Sequence, residues 1–131
     1  MFLNRPRVLL ADDHLMMREK VTRMLESEFD IIGAVTNGQA LLDEAAVLDP
    51  DIVVLDITMP GLPGIEAARR LRETGSHAKI VFLTVHEDPD FIREALATGA
   101  LGYVVKPRLA SDLLVAMREA LEGRSFVSPS V

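Results

Sequence analysis

The sequence predicts a single doubly wound α/β domain with a parallel sheet. Three observations carry that reading: short runs that are almost continuously apolar, helical spacing between them, and polar residues where the runs end. The runs are Val8–Ala11, Ile31–Val35, Ile52–Leu55, Ile80–Leu83 and Tyr103–Val105. They are rich in Val, Ile and Leu, as expected of strands buried on both faces of a parallel sheet.

Each intervening stretch has one apolar face. Met17, Val21, Met24 and Leu25 mark the first helix, and Leu41, Leu42, Ala45 and Leu48 the second. Ile65, Ala68 and Leu71 mark the third, and Phe91, Ile92, Ala95 and Leu96 the fourth. Leu113, Leu114, Met117 and Leu121 mark the fifth. Asn37 is placed to cap the second helix, and Asp88-Pro89 reads as an N-cap followed by Pro at the first helical position. Gly75, Gly99 and Gly123 stand where helices end. Met16, Met17 and Met24 read as core residues. Residues 1–123 form the domain, and residues 124–131 lose the helical pattern and read as a C-terminal tail or the start of a linker.

Composition excludes several function classes. With 131 residues and 49% hydrophobic content the chain can bury a real core, filled by aliphatic side chains because only 5% are aromatic. There is no Cys, which excludes disulfides, thiolate catalysis and Cys-based zinc sites. The net charge of −6, without a basic run, argues against nucleic acid or an anionic membrane surface as a direct partner of this chain. No signal peptide or membrane-spanning run is read, so a cytoplasmic setting is expected.

The polar residues that close the strands carry the functional argument. The first strand ends in Asp12-Asp13, the third in Asp56, the fourth in Thr84 and the fifth in Lys106. In an open parallel sheet the ligand crevice lies beyond the carboxyl ends of the strands. Three carboxylates there repel one another unless a cation joins them, and an oxygen-rich, His-poor site suits Mg²⁺. A carboxylate is also a nucleophile toward a phosphoryl group, whose oxygens a metal, a lysine and a threonine hydroxyl can neutralise. Taken singly, Asp12-Asp13 are equally good helix caps, Asp56 a turn residue, Thr84 a strand end and Lys106 a solvated turn lysine. Only their joint placement points to one site. His14 and His86 read as rim or packing residues.

The segments VLLADDH, DIVVLDITMPGLPGIE, IVFLTVHED and GYVVKP resemble the receiver domains of two-component response regulators, over about Arg7 to Gly123. The resemblance implies the flavodoxin-like strand order 2-1-3-4-5. It also implies Asp56 as phosphoacceptor, with Asp12, Asp13, Asp56 and the Thr58 carbonyl serving Mg²⁺. Thr84 and Lys106 would contact the phosphoryl group, Tyr103 would be an aromatic switch following Thr84, and the Lys106-Pro107 bond would be cis. The partner implied is a sensor histidine kinase, with a homodimer on phosphorylation. DDH, LTVHED and the terminal GRSFVSPS resemble receivers that precede a LuxR-type helix-turn-helix, so DNA would be reached only through a domain absent from this chain. A stand-alone receiver acting as a phosphorelay or docking module is the alternative.

Two other classes fit less well. A haloacid-dehalogenase-type phosphohydrolase needs a second Asp two residues after the nucleophile, where this chain has Asp56-Ile57-Thr58. A flavin-binding protein needs a Ser/Thr/Gly-rich phosphate loop where this chain has ADDHLMM.

Overall fold

A computed structural model of the chain describes residues 5–129. The elements follow one another as β1 (Arg7–Ala11), α1 (Leu15–Leu25), β2 (Asp30–Val35), α2 (Gly38–Leu48), β3 (Ile52–Leu55) and α3 (Gly64–Glu73). Then come β4 (Lys79–Thr84), α4 (Pro89–Ala97), β5 (Gly102–Val105), α5 (Leu109–Leu121) and β6 (Phe126–Val127). The strands lie in the order β2-β1-β3-β4-β5-β6, and every pairing is parallel. The sheet therefore has the expected 2-1-3-4-5 order, with a short sixth strand added beside β5.

Alternation along each strand divides the core. Leu9, Val53, Leu55, Ile80, Phe82 and Tyr103 face one side, where α2, α3 and α4 supply Leu41, Leu71 and Ala95. Val8, Leu10, Ile52, Val54, Val81 and Val104 face the other, against Val21 and Leu25 of α1 and Leu113 and Met117 of α5. Both faces of the central strands are covered, which is why their sequences are apolar without interruption.

The predicted punctuation holds. Asn37 accepts the Ala40 N–H at 2.8 Å, and the Asp88 side chain caps α4 ahead of Pro89. Gly75, Gly99 and Gly123 have φ of 83°, 91° and 75°, a left-handed conformation that a Cβ disfavours.

Four features depart from the sequence expectation. Strand β2 is not buried on both faces, because it forms the edge of the sheet and keeps Asp30 and Ala34 exposed. Met16 is 82% exposed rather than core, since it stands about 100° around α1 from the Met17–Val21 stripe. Leu121 is likewise exposed, and Ala120 takes the inward position at the end of α5. The Lys106-Pro107 bond is trans: there is no cis peptide among the described residues. Pro107 instead opens a 3₁₀ turn over Lys106–Arg108, where its fixed φ and missing N–H carry no penalty.

Candidate functional site

The site is built where the ladder overruns the strands. Asp56 N–H donates to Ala11 O at 3.0 Å and Asp12 N–H to Val35 O at 3.0 Å. These bonds carry the pairing one residue beyond β1 and β3 and set Asp12 and Asp56 side by side, as continuation of the Ala11–Leu55 register requires. Both carboxylates are buried, at 1% and 4% exposure. Asp13 and His14 follow at the rim, where His14 is the N-cap residue of α1. Its ring Nδ1 lies 3.0 Å from Asp12 Oδ1 and 3.1 Å from Asp13 Oδ1.

Lys106 leaves the end of β5 and reaches into this cluster. Its ammonium donates to Asp56 Oδ2 at 2.9 Å and lies 3.0 Å from Asp12 Oδ2. The approach to Asp12 has ion-pair distance without hydrogen-bond direction, and Asp12 Oδ2 is a buried oxygen with no hydrogen-bond partner. Burial is the largest influence on Lys106 and pulls its pKa down. The hydrogen bond to Asp56 and the neighbouring charges of Asp56 and Asp12 outweigh it, and the ammonium is held above the ordinary lysine range.

Asp56 Oδ1 accepts the Thr58 N–H at 3.2 Å, which folds the loop after β3 back over the acid. Close approach of α3 fixes the same loop. Gly64 N–H donates to Ile57 O at 2.7 Å, and a Cβ on Gly64 would stand 2.0 Å from the Asp56 carbonyl oxygen. Only glycine fits between the start of α3 and the acid's own backbone.

Thr84 is fully buried at the end of β4, and its hydroxyl accepts the His86 N–H at 3.3 Å. Tyr103 is also fully buried, with its ring 6.4 Å from that of Phe82 and its hydroxyl donating to His86 O at 2.7 Å. Burial, followed by the charges of Asp56 and Asp88, pushes the Tyr103 phenol up to about 12. His86 thus meets both residues of the expected switch. Its Nε2 is also 2.6 Å from Thr58 Oγ1, and its ring stacks on Phe91 with centroids 4.5 Å apart.

The structure brings Asp12, Asp13, Asp56, Thr58 and Lys106 together, with Thr84 and Tyr103 on the adjoining strands. The bridge from His86 to Thr58 was not read from the sequence. It spans 28 positions and depends on how two loops fold toward each other.

The donor set fits a hard divalent cation. One ligand atom each from Asp12, Asp13, His14 and Asp56 lies within 4.8 Å of the others. Asp12 Oδ2 is a buried oxygen that accepts no hydrogen bond and has only the Lys106 ion pair beside it, and carboxylate oxygen is the ligand Mg²⁺ prefers.

An open doubly wound sheet with acids, a lysine and a threonine at its carboxyl ends defines a receiver of two-component signalling. The model of the response regulator receiver domain matches residues 8–118, and the chain belongs to that family. Among relatives, it is 35% identical over 127 residues to the response regulator GacA of Pseudomonas viridiflava, covering 95% of this chain and 59% of that protein. It is 36% identical over 126 residues to the nitrate/nitrite response regulator protein NarL of Escherichia coli K12, covering 95% and 58%. The chain therefore spans about three fifths of the length of these curated relatives. A LuxR-family two-component response regulator from Aurantimonas sp. SI85-9A1 matches in structure with a TM-score of 0.91 at 34% identity, over 96% of this chain and 91% of that one. The chain is thus homologous to LuxR-type regulators of the NarL and GacA kind.

Proposed function

We propose that this receiver accepts a phosphoryl group on Asp56 from a sensor histidine kinase and passes the change to an attached DNA-binding domain that lies beyond this chain. The observation that carries the reading is the buried lysine bridge: Lys106 holds Asp56 and Asp12 at 2.9 and 3.0 Å while Asp12 Oδ2 keeps free acceptor capacity. A purely structural ion pair has no need of three carboxylates at the ends of two adjacent strands.

Asp56 supplies the nucleophile. A carboxylate oxygen attacks phosphorus, the new O–P bond replaces the N–P bond of the donor phosphohistidine, and the imidazole leaves with a proton. Lys106 stays protonated throughout and pairs with the transferred oxygens. Asp12, Asp13, Asp56 and the Thr58 carbonyl would hold Mg²⁺, which supplies positive charge that neutralises those oxygens when bound. Thr84 donates its hydroxyl to the phosphoryl group, and its movement is transmitted to Tyr103 through His86, which both side chains contact. The output is a shift between two arrangements of the α4–β5–α5 face, leading to dimerisation or release of the attached domain. No helix among the described residues is long and apolar enough to cross a membrane; the cytoplasmic site of action rests on the receiver reading.

The alternative of a stand-alone phosphorelay or docking module has less support, because the relatives are regulators longer than this chain. The proposal is tested by trapping the product. An acyl phosphate is reduced by borohydride, so treatment after phosphorylation should convert Asp56 alone to homoserine in a peptide map. Homoserine at another acid would refute the assignment of Asp56.

A further inference from the structure

The chain does not leave the domain at Gly123. Phe126 and Val127 run parallel to β5, with Phe126 N–H donating to Leu101 O at 2.8 Å and Ser128 N–H to Tyr103 O at 2.8 Å. Phe126 packs against the core under α5. Ser128 is only 6% exposed. Its hydroxyl donates to Asp112 Oδ2 at 2.7 Å and accepts the Val105 N–H at 3.2 Å, a pair of roles that one hydroxyl can fill. Asp112 is itself buried and takes further bonds from Arg108 Nε at 2.8 Å and Ser111 Oγ at 2.9 Å.

None of these groups touches the acidic pocket, yet they grip the strand that feeds it. Ser128 bonds Tyr103 and Val105, and Val105 is the peptide neighbour of Lys106, whose ammonium lies on Asp56 and Asp12.

We infer that Ser128 is a positioning residue: it docks the segment after α5 onto the end of β5 and couples the path of that segment to Lys106. The coupling rests on the phosphoacceptor reading of Asp56; the docking does not. A phosphoryl group on Asp56 adds negative charge and strengthens the pull on Lys106. That fixes Val105 where its N–H meets the Ser128 hydroxyl, so phosphorylation tightens the docked segment. By reciprocity, docking favours the phosphorylated arrangement by the same factor.

Amide hydrogen exchange at Val105, Phe126 and Ser128 tests both parts, with and without a small-molecule phosphodonor and Mg²⁺, the adduct being counted by mass in the same samples. Without donor, Ser128→Ala should lower protection at these amides about tenfold, as loss of a buried hydrogen bond implies. Ser128→Thr, which keeps the hydroxyl, should restore it. With the adduct formed, wild-type protection should rise roughly fivefold, the low end of typical coupling, and Ser128→Ala should take up the phosphoryl group without that rise. Equal resting protection in wild type and Ser128→Ala would overturn the docking role. An adduct on wild type with unchanged protection, or the same rise in Ser128→Ala, would overturn the coupling. No adduct in any protein would instead sink the phosphoacceptor reading and the coupling with it, leaving the docking judged by the resting comparison.

Discussion

At the residue scale, Lys106 and Asp12 set the physics of the pocket. Two buried carboxylates and one lysine leave an excess of negative charge in a place with little water. Removing the lysine leaves both acids uncompensated, a change that costs on the order of 3 kcal/mol for a buried pair. Lys106→Ala should therefore lower stability by about that much without divalent cations, and Mg²⁺ should restore part of it, as read by denaturant melts with and without the ion. A variant equally unstable in both conditions would show that the carboxylates do not hold the metal.

Tyr103 allows a direct check on burial, because it is the only tyrosine and there is no tryptophan. Its phenol is pushed up to about 12 by burial first and then by the charges of Asp56 and Asp88. Phenolate absorbance of the folded protein should rise near that value, above the ordinary range near 10. The sign follows from linkage. Below about pH 10 both states keep the proton; above it the unfolded chain ionises first, so stability falls as pH rises through the window up to the folded value. A native titration at the ordinary value would mean that the ring is not buried as described. The site acids were legible in the sequence because each closes an apolar run. His86 was not, because its partners Thr58, Thr84 and Tyr103 are brought to it only by the loop following β4.

At the element scale, the helices and their ends were readable because caps and left-handed glycines act locally. What escaped the sequence needed knowledge of neighbours. Gly64 looks like an ordinary turn glycine in MPGLPG, but its role is to let α3 approach the Asp56 backbone. Gly64→Ala should destabilise the fold by roughly 1–3 kcal/mol as an overpacked contact. It should also slow phosphoryl uptake, because the loop that gives way belongs to the acid. Calorimetry and a rate measurement on the same variant check both effects.

Residues 124–131 read from the sequence as a C-terminal tail or the start of a linker, because two residues of strand carry no periodicity. Asp112 links it to α5. Burial is the largest influence on this carboxyl and raises its pKa. The hydrogen bonds from Arg108, Ser128 and Ser111 outweigh burial, so the group ends below the usual carboxylate range. A depressed folded pKa contributes stability above the unfolded value, near 4, and loses it as pH falls through the folded one. Asp112→Asn should therefore lower stability at neutral pH and flatten the acid limb of the stability profile. An unchanged acid limb would remove Asp112 from the account.

At the scale of the whole molecule, two layers of helices on a parallel sheet explain why strand bodies are apolar and strand ends are not. Right-handed crossovers place helices on both faces of the sheet, and the partly exposed β2 forms one of its edges. The expected strand order rests on the family resemblance; periodicity alone does not distinguish it from other doubly wound sheets. The trans Lys106-Pro107 bond shows the limit of such transfer, since a family expectation about one peptide gave way to a local turn that this chain forms with the ordinary isomer.

The central claim is that Asp56 is a metal-assisted phosphoacceptor, and intact mass after incubation with a small-molecule phosphodonor tests it most directly. A single phosphoryl adduct that requires Mg²⁺ and is lost in Asp56→Asn is the expected result. An adduct that persists in Asp56→Asn, or forms equally well without any divalent cation, would contradict it.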